Sequence, residues 1–378
     1  MTERHPQPRH VLLTGATGSL GSRVCVRLLD HATLVHCLVR GRDQQEATAR
    51  LQHRLHDDHL TDIKHQGRLH AVPADITRPL LGLTPRSYDA LAQTVGVIVH
   101  CAATVNLAAG YDPLAPVNVH GTRAVIAFAE HAAALTGRRP RLCAVSTLGT
   151  LIAARSAGHP VVDENTPATA ETAGPLGYPR SKAAAEGELR AAAARGASIT
   201  LLRPGIITGD PRTDATPFGS DLLAPLLRAA VALRAAPDTP AGLPLDTADA
   251  VSRATAVLAL HPESAGRTFH LVRRRPFMLQ ALFAAARRAG HRLEPLPADR
   301  WWQRLDTRTD HPDVKEMIML EGVYRRTFTH DADHGHLAPD VRADATSTFL
   351  EQAGIQSAAL DDDYLDRLVP HLTAGAAR

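Results

Sequence analysis

The sequence predicts an α/β fold, a doubly wound parallel sheet with helices on both faces, followed by a smaller, mostly helical C-terminal lobe. Three observations carry this expectation. Short apolar runs alternate with helix-like segments through the first half of the chain, the order in which strand-helix-strand units occur. The runs are apolar throughout and rich in branched residues, as strands of a sheet covered on both faces should be. The first run, Val11-Leu12-Leu13, leads into Thr14-Gly15-Ala16-Thr17-Gly18-Ser19-Leu20-Gly21, where three glycines spaced three apart end a strand and open a helix.

The expected strands are 10–14, 34–39, 69–72, 95–100, 141–146 and 198–202, with helices over 20–29, 44–56, 88–93, 116–135 and 178–195. The last helix is alanine-rich and therefore of high intrinsic propensity. Residues 8–207 should form the nucleotide-binding domain, with 243–275 returning to it, and 208–242 and 276–374 the second lobe. That division follows a change of composition after Thr208, where Pro and Gly turns cluster around Asp210-Pro211, Pro237-Asp238 and Pro240-Ala241-Gly242.

A chain of 378 residues with 44% hydrophobic content can bury a large core. Its 42 basic and 39 acidic side chains leave a net charge of +3, too small to imply nucleic acid as a partner, and 4% aromatics argue against base stacking. No apolar stretch reaches the roughly 18 residues that span a bilayer, and the first residues lack the apolar core of a signal peptide, so a soluble, cytoplasmic protein is expected. Cys25, Cys37, Cys101 and Cys143 are scattered, which suggests reduced core thiols rather than a zinc site or disulfide scaffold.

The glycine run fits a dinucleotide pocket. The chain must turn sharply at Gly15, approach a pyrophosphate closely at Gly18, and pack helix on sheet at Gly21. The helix that follows points its free N–H groups at the phosphates. At the end of the second strand, where an acidic residue would bind the ribose hydroxyls of NAD, stand Arg40 and Arg42, whose planar forks suit the 2′-phosphate of NADP. NADP is therefore favoured, the alternative being that both are ordinary solvated surface residues. Asp75-Ile76 could present an acceptor and an apolar wall to the adenine, or simply form a turn or cap.

A second constellation is Tyr178 and Lys182, four apart on one helix and so on one face. A phenol with a pKa near 10 needs a neighbouring ammonium to act at neutral pH, although a half-buried tyrosine beside a surface lysine has the same spacing. Pro179 fits the first helical turn. The third piece is Ser146-Thr147 at the carboxyl end of the fifth strand, the sheet edge where ligands bind. A hydroxyl there could polarise a substrate carbonyl during hydride attack, or cap the turn.

With these pieces in this order, the chain resembles the extended short-chain dehydrogenase/reductase superfamily, and within it the thioester reductase branch. That branch includes the terminal reductase domains of nonribosomal peptide synthetases and carboxylic acid reductases, and the fatty acyl-CoA reductases. The resemblance rests on residues 14–21, 37–40, 74–76, 99–106, 118–122, 146–147, 177–186, 202–205 and 269–271, and it covers roughly 11–271. It implies that Thr147, Tyr178 and Lys182 form a catalytic set, with Ser146 as a helper. It further implies that Gly15, Thr17, Gly18, Ser19, Leu20 and Gly21 hold the pyrophosphate, and that Arg40 holds the 2′-phosphate. Asp75 and Ile76 would meet the adenine, Ala102 and Ala103 the cofactor ribose, and Pro204, Gly205 and Ile206 the nicotinamide. Asn118 matches a structural asparagine. Ser19 and Ala183 depart from the pattern, since aromatics are usual at both positions.

The activity so implied is NADPH-dependent reduction of an acyl thioester, carried by an acyl carrier protein or coenzyme A, to an aldehyde and in some members on to the primary alcohol. Two readings stand beside it. One is a ketone or aldehyde reductase, or a nucleotide-sugar epimerase or dehydratase, on the same Tyr-Lys core, in which Arg228, Arg234 and Arg253 could bind a diphosphate. The other is a non-catalytic NADPH-binding regulator. The start at methionine, with no adenylation or carrier segment ahead of the nucleotide fold, suggests a stand-alone enzyme.

Several C-terminal features have plainer explanations. Residues 329–336 hold Asp and His in number, yet hydride transfer needs no metal, and a polar turn is the expected structure. Trp301-Trp302 should anchor a helix in the core rather than line an acyl pocket. Asp361-Asp362-Asp363 suits a helix start. Arg273-Arg274-Arg275 could meet an acidic carrier protein.

Overall fold

The computed structural model describes residues 10–31, 34–57, 60, 67–210, 222–321, 325, 330–331, 335–336 and 338–374. Strands β1 (His10–Thr14), β2 (Leu34–Val39), β3 (Leu69–Pro73), β4 (Val95–His100) and β5 (Arg141–Val145) join Ser198–Pro204 and Thr268–Leu271 in a seven-stranded sheet. From one edge the order is Thr268–Leu271, Ser198–Pro204, β5, β4, β1, β2, β3. β1 pairs in parallel with both β2 and β4, so the winding reverses between β1 and β4, and the carboxyl ends there open the crevice typical of such sheets. Val11, Leu12 and Leu13 have 0% exposure, which is why these strands read as continuous apolar runs.

Helices α1 (Ser19–Leu29), α2 (Gln44–Asp57), α3 (Pro85–Thr94) and α4 (Gly121–Thr136), with Gly177–Ala194, match the expected segments with instructive shifts at their ends. α3 starts three residues early because Thr84 accepts the Ser87 N–H at 3.2 Å and Pro85 occupies the first turn. The segment expected as one helix over 116–135 opens as a π-helical turn, Pro116–His120, before α4 begins, and α4 ends at Gly137 with φ +68°.

Two compact units share the chain. The first comprises Met1–Thr147, Arg180–Arg203 and Ser252–Phe269, and the second Leu148–Pro179, Pro204–Val251 and His270–Arg378. The first packs its sheet on helices through an apolar core that includes Leu12, Ile98, Phe128, Leu142 and Leu201. Tyr88 and Phe128 meet edge-to-face at 5.0 Å, and Cys25 and Cys37 lie buried as free thiols with sulfurs 3.6 Å apart.

The second unit claims 148–179, a segment that composition alone assigns to the nucleotide-binding domain. The reason lies in its partners: Val161–Val162 pairs with Asp340–Val341, Arg155 donates to the Ala338 carbonyl at 3.0 Å, and Glu164 accepts from the Thr346 hydroxyl at 2.6 Å. The core of this unit surrounds Trp301 and Trp302, whose exposures are 0% and 3%, with the Trp301 indole donating to the Ala235 carbonyl at 2.9 Å. The packing explanation for the tryptophan pair therefore holds. Besides helices the unit carries short strand pairs, Ile206–Thr208 with Leu245–Thr247 and Ala235–Asp238 with Glu294–Pro297. Strands this short, two of them containing proline, have no periodicity to detect.

Candidate active site

The glycine loop is built from backbone against backbone. Gly15 has φ +78°, and a Cβ there would lie 2.6 Å from the Ala102 nitrogen, so the backbone just after β4 presses directly on the turn. A Cβ on Gly21 would stand 2.7 Å from the carbonyl carbon of Gly15. The third glycine thus serves contact between the helix and the turn rather than the sheet. A Cβ on Gly18 would meet only the Gly15 oxygen, at 3.3 Å, which leaves room at the exposed start of α1. Gly18 caps α1 without a side-chain bond, so the first N–H groups of the helix suit an anion. Thr17 and Leu20 are half-buried beside it. Ser19, also half-buried, accepts from Arg54 of α2 at 3.3 Å through its hydroxyl and from Arg23 at 2.9 Å through its carbonyl. Arg54 escaped the sequence reading because its partner lies 35 residues away.

At the end of β2, Arg40 is exposed. Arg42 is 89% exposed and its Nε donates to Glu46 at 2.8 Å, which ties it to the first turn of α2. Asp75 accepts from the Thr77 N–H at 2.9 Å and the Thr77 hydroxyl at 2.7 Å, so it forms a turn. Burial raises its carboxyl, but these bonds and the charges of Arg40 and Arg78 outweigh burial and leave it below the ordinary value. Ile76 fills the space left by Gly121, where a Cβ would come within 2.7 Å of its Cδ1.

Ala102 is held from behind by a relay of hydrogen bonds. The Thr122 hydroxyl gives its single proton to the Asn118 carbonyl at 2.7 Å, so the His100 Nε2, 3.1 Å away, must donate to Thr122. His100 Nδ1 then accepts from the Thr14 hydroxyl at 2.7 Å, and Thr14 in turn accepts the Ala102 N–H at 3.2 Å. Burial, with the Lys182 charge adding to it, pushes His100 down to about 3, so the ring is neutral as this chain of donors requires. Asn118 accepts the Thr104 N–H at 2.8 Å and donates to the Ser181 hydroxyl at 2.9 Å, which links the loop after β4 to the helix that carries Lys182.

Tyr178 and Lys182 lie on Gly177–Ala194, one turn apart. The Lys182 side chain is 3% exposed, and its ammonium donates to the Val145 carbonyl at 2.8 Å, the last residue of β5. Burial lowers it to about 8, against the opposing charge of Glu186. Burial pushes the Tyr178 phenol up to about 12, opposite to the direction expected from a lysine one turn away. Thr147 is half-buried just past β5, while the buried Ser146 hydroxyl donates to Glu186 at 2.6 Å. Glu186 and Arg203, both fully buried, were not singled out as a pair from sequence. The signal was present in the spacing Lys182 to Glu186 and in one arginine inside the apolar run 199–204.

In the second unit, Gly205 sits where a Cβ would fall 2.6 Å from Val272, between Pro204 and the short strand that Ile206 begins. Of the arginines weighed as diphosphate ligands, Arg228 pairs with Asp313 at 3.2 Å, and Arg234 closes a helix with φ +50°. Arg273 donates to the Ala358 carbonyl at 2.6 Å, and Arg274 lies 3.4 Å from Glu351. Asp361 caps the final helix by accepting the Tyr364 N–H at 3.0 Å, as its charge run suggests. Of the segment 329–336, only His330–Asp331 and Gly335–His336 are described, as an antiparallel pair. Among the described residues no metal-ligating cluster occurs, and no helix is long and apolar enough to cross a membrane.

Comparison with known proteins gives the family and the fold. The family described as Male sterility protein, an NAD-binding group, matches residues 13–255. A linear gramicidin synthase of Brevibacillus parabrevis is 30% identical over 363 residues, which cover 95% of this chain and 7% of the relative. Isonitrile lipopeptide synthase of Streptomyces coeruleorubidus is 31% identical over 379 residues, 97% of this chain and 25% of the relative. The chain therefore spans a quarter or less of these curated relatives. Among solved structures, the terminal R domain from the myxalamid PKS-NRPS biosynthetic pathway superposes with a TM-score of 0.84 at 29% identity, covering 99% of this chain and 93% of that one. A thiolation-reductase di-domain from an archaeal non-ribosomal peptide synthetase shares the fold, with a TM-score of 0.79 at 20% identity over 97% of this chain and 76% of that one.

Proposed function

The chain belongs to the male sterility protein family of NAD-binding domains, in the thioester reductase branch of the extended short-chain dehydrogenase/reductases, and from that premise we propose that it reduces a carrier-bound acyl thioester to an aldehyde with NADPH. The observation that carries this reading is the placement of Lys182, buried and bonded to the residue that precedes Ser146-Thr147, one helical turn from Tyr178.

The residues fit the cofactor. The uncapped start of α1 with room at Gly18 suits a pyrophosphate, and Arg40 at the end of β2 suits a 2′-phosphate. Ionised Asp75 offers an acceptor to the adenine edge, Ala102 and Ala103 a flat backbone to the ribose, and Pro204, Gly205 and Ile206 a wall for the nicotinamide. Bound NADPH supplies the hydride.

The side chains do the rest. Thr147 and Tyr178 donate to the thioester carbonyl, so that negative charge developing on oxygen is stabilised as the carbon is reduced. Tyr178 passes its proton to that oxygen, giving a hemithioacetal whose C–S bond breaks to release aldehyde and thiol. In sum one hydride and one proton enter, and thioester becomes aldehyde plus thiol. Lys182 binds the ribose hydroxyls and supports the phenolate left on Tyr178. The thiol is that of a phosphopantetheine arm, on a carrier protein such as the thiolation domain of the archaeal di-domain, or on coenzyme A.

The test offers NADPH and NADH in turn with acyl thioesters, free aldehydes and nucleotide sugars, and traps any aldehyde formed. The expected result is NADPH consumption matched by trapped aldehyde from thioesters. Turnover of nucleotide sugars alone would overturn the reading. Consumption of aldehyde as well would extend the product to the alcohol.

A further inference from the structure

Two guanidinium groups converge on Ser19, the first residue of α1. Arg54 of α2 donates through Nη2 to the Ser19 hydroxyl at 3.3 Å, and Arg23 donates through Nη1 to the Ser19 carbonyl at 2.9 Å. Both arginines are half-buried. The first turn of α1 holds no acidic residue, and Gly18 brings no side chain to its cap.

This placement runs against the helix. The start of α1 is its positive end, where anions are favoured and cations are not. The chain nevertheless brings one guanidinium there from 35 residues away and turns a second back from the following turn. Three positive contributions thus meet at one residue, and an anion lying against them relieves all three. Resting on the nicotinamide cofactor of the function proposed above, we propose that Arg54 is a further cofactor-binding residue, whose guanidinium takes a phosphate of the dinucleotide beside the start of α1, with Ser19 setting its position.

The chemistry of the two partners favours the exchange. A bond to the neutral Ser19 hydroxyl uses only the charge of the arginine, whereas a bond to phosphate joins opposite charges and engages two oxygens in parallel. The planar fork of a guanidinium matches that geometry, which a lysine ammonium does not. The position on α2 suits the role as well. Ala47, Leu51 and Leu55 form the buried face of that helix, and Arg54, three residues after Leu51, stands at its margin. Arg40 belongs to the end of β2, so the phosphates of the dinucleotide meet guanidinium groups from two elements rather than one. The small side chain at Ser19 is what admits Arg54 to this point, since a bulky residue there would contest its place.

The test titrates NADPH and, separately, NADH into the full chain with no thioester present, following the fluorescence of the reduced nicotinamide at low and high ionic strength, with thermal melting to verify folding. Wild type is compared with Arg54→Met and with Arg138→Met, which makes the same charge change at an exposed position between α4 and β5, on the opposite edge of the sheet. Arg54→Met should weaken NADPH by about tenfold or more, the worth of a hydrogen bond between charged groups. Its affinity should also fall less steeply with salt than that of wild type, because one screened contact has gone. Arg138→Met should bind as wild type does. Equal weakening of NADPH and NADH assigns the pyrophosphate to Arg54, and weakening of NADPH alone assigns the 2′-phosphate. A folded Arg54→Met protein that binds both cofactors within about twofold of wild type would overturn the proposal. So would an equal loss in Arg138→Met, or a loss in Arg54→Met that leaves the salt dependence unchanged, the mark of a packing role. If Arg54→Met fails to fold, Arg54→Gln decides on the same terms. Failure of the underlying cofactor reading would show differently, as a wild-type chain that binds neither NADPH nor NADH.

Discussion

Burial holds the Lys182 ammonium at about 8, below its ordinary 10.5, which makes this residue a cost to the fold. The sign follows from linkage. A lysine with a depressed folded pKa destabilises the native state fully below about pH 8 and ceases to do so as pH rises from about 8 to 10.5. The cost is on the order of 3 kcal/mol, from the difference between those values. Lys182→Met should therefore unfold at no lower temperature than wild type at pH 7 while losing NADPH turnover. A fall in Tm of more than a few degrees would show that the ammonium stabilises the fold instead. Tyr178, with its phenol at about 12, keeps its proton at neutral pH, as the donor role proposed for it requires. That these two residues share one helix, a turn apart, was legible in the sequence through spacing. Their pKa directions were not, because they depend on burial in the folded chain.

At the scale of elements, the strand Ser198–Pro204 and the helix Gly177–Ala194 are joined by Arg203 and Glu186, both fully buried and bonded through two nitrogens and two oxygens. Removing one partner of a buried pair leaves the other charge uncompensated, at a cost of about 3–5 kcal/mol. Arg203→Met should lower unfolding stability by that much in a denaturant titration, and a loss below about 1 kcal/mol would mean that Arg190, which also donates to Glu186, compensates. The sheet strands were legible because burial on both faces turns each into an apolar run, and β1 to β4 fall almost where the pattern puts them. Less legible were Ala235–Asp238 and Glu294–Pro297, which pair in parallel yet carry prolines and charges. Their strand character comes from the partner, not from their own sequence. The π-helical turn at Pro116–His120 was likewise hidden, since its apolar pattern differs little from that of α4.

At the scale of the whole molecule, the chain weaves between two units, so that neither is a continuous stretch of sequence. Composition marks a boundary after Thr208, but the claim of the second unit on 148–179 depends on pairing with residues near 340, a contact that no local pattern records. The helix Gly177–Ala194 reflects the same weave, with Tyr178 counted in one unit and Lys182 in the other. The function proposed for the molecule rests on that tyrosine. The most direct measurement follows NADPH oxidation and trapped aldehyde together in wild type and Tyr178→Phe, each shown by titration to bind NADPH. The account predicts one aldehyde per NADPH in wild type and a loss of about a hundredfold or more in the variant at unchanged NADPH affinity. Equal turnover in the two proteins would contradict it.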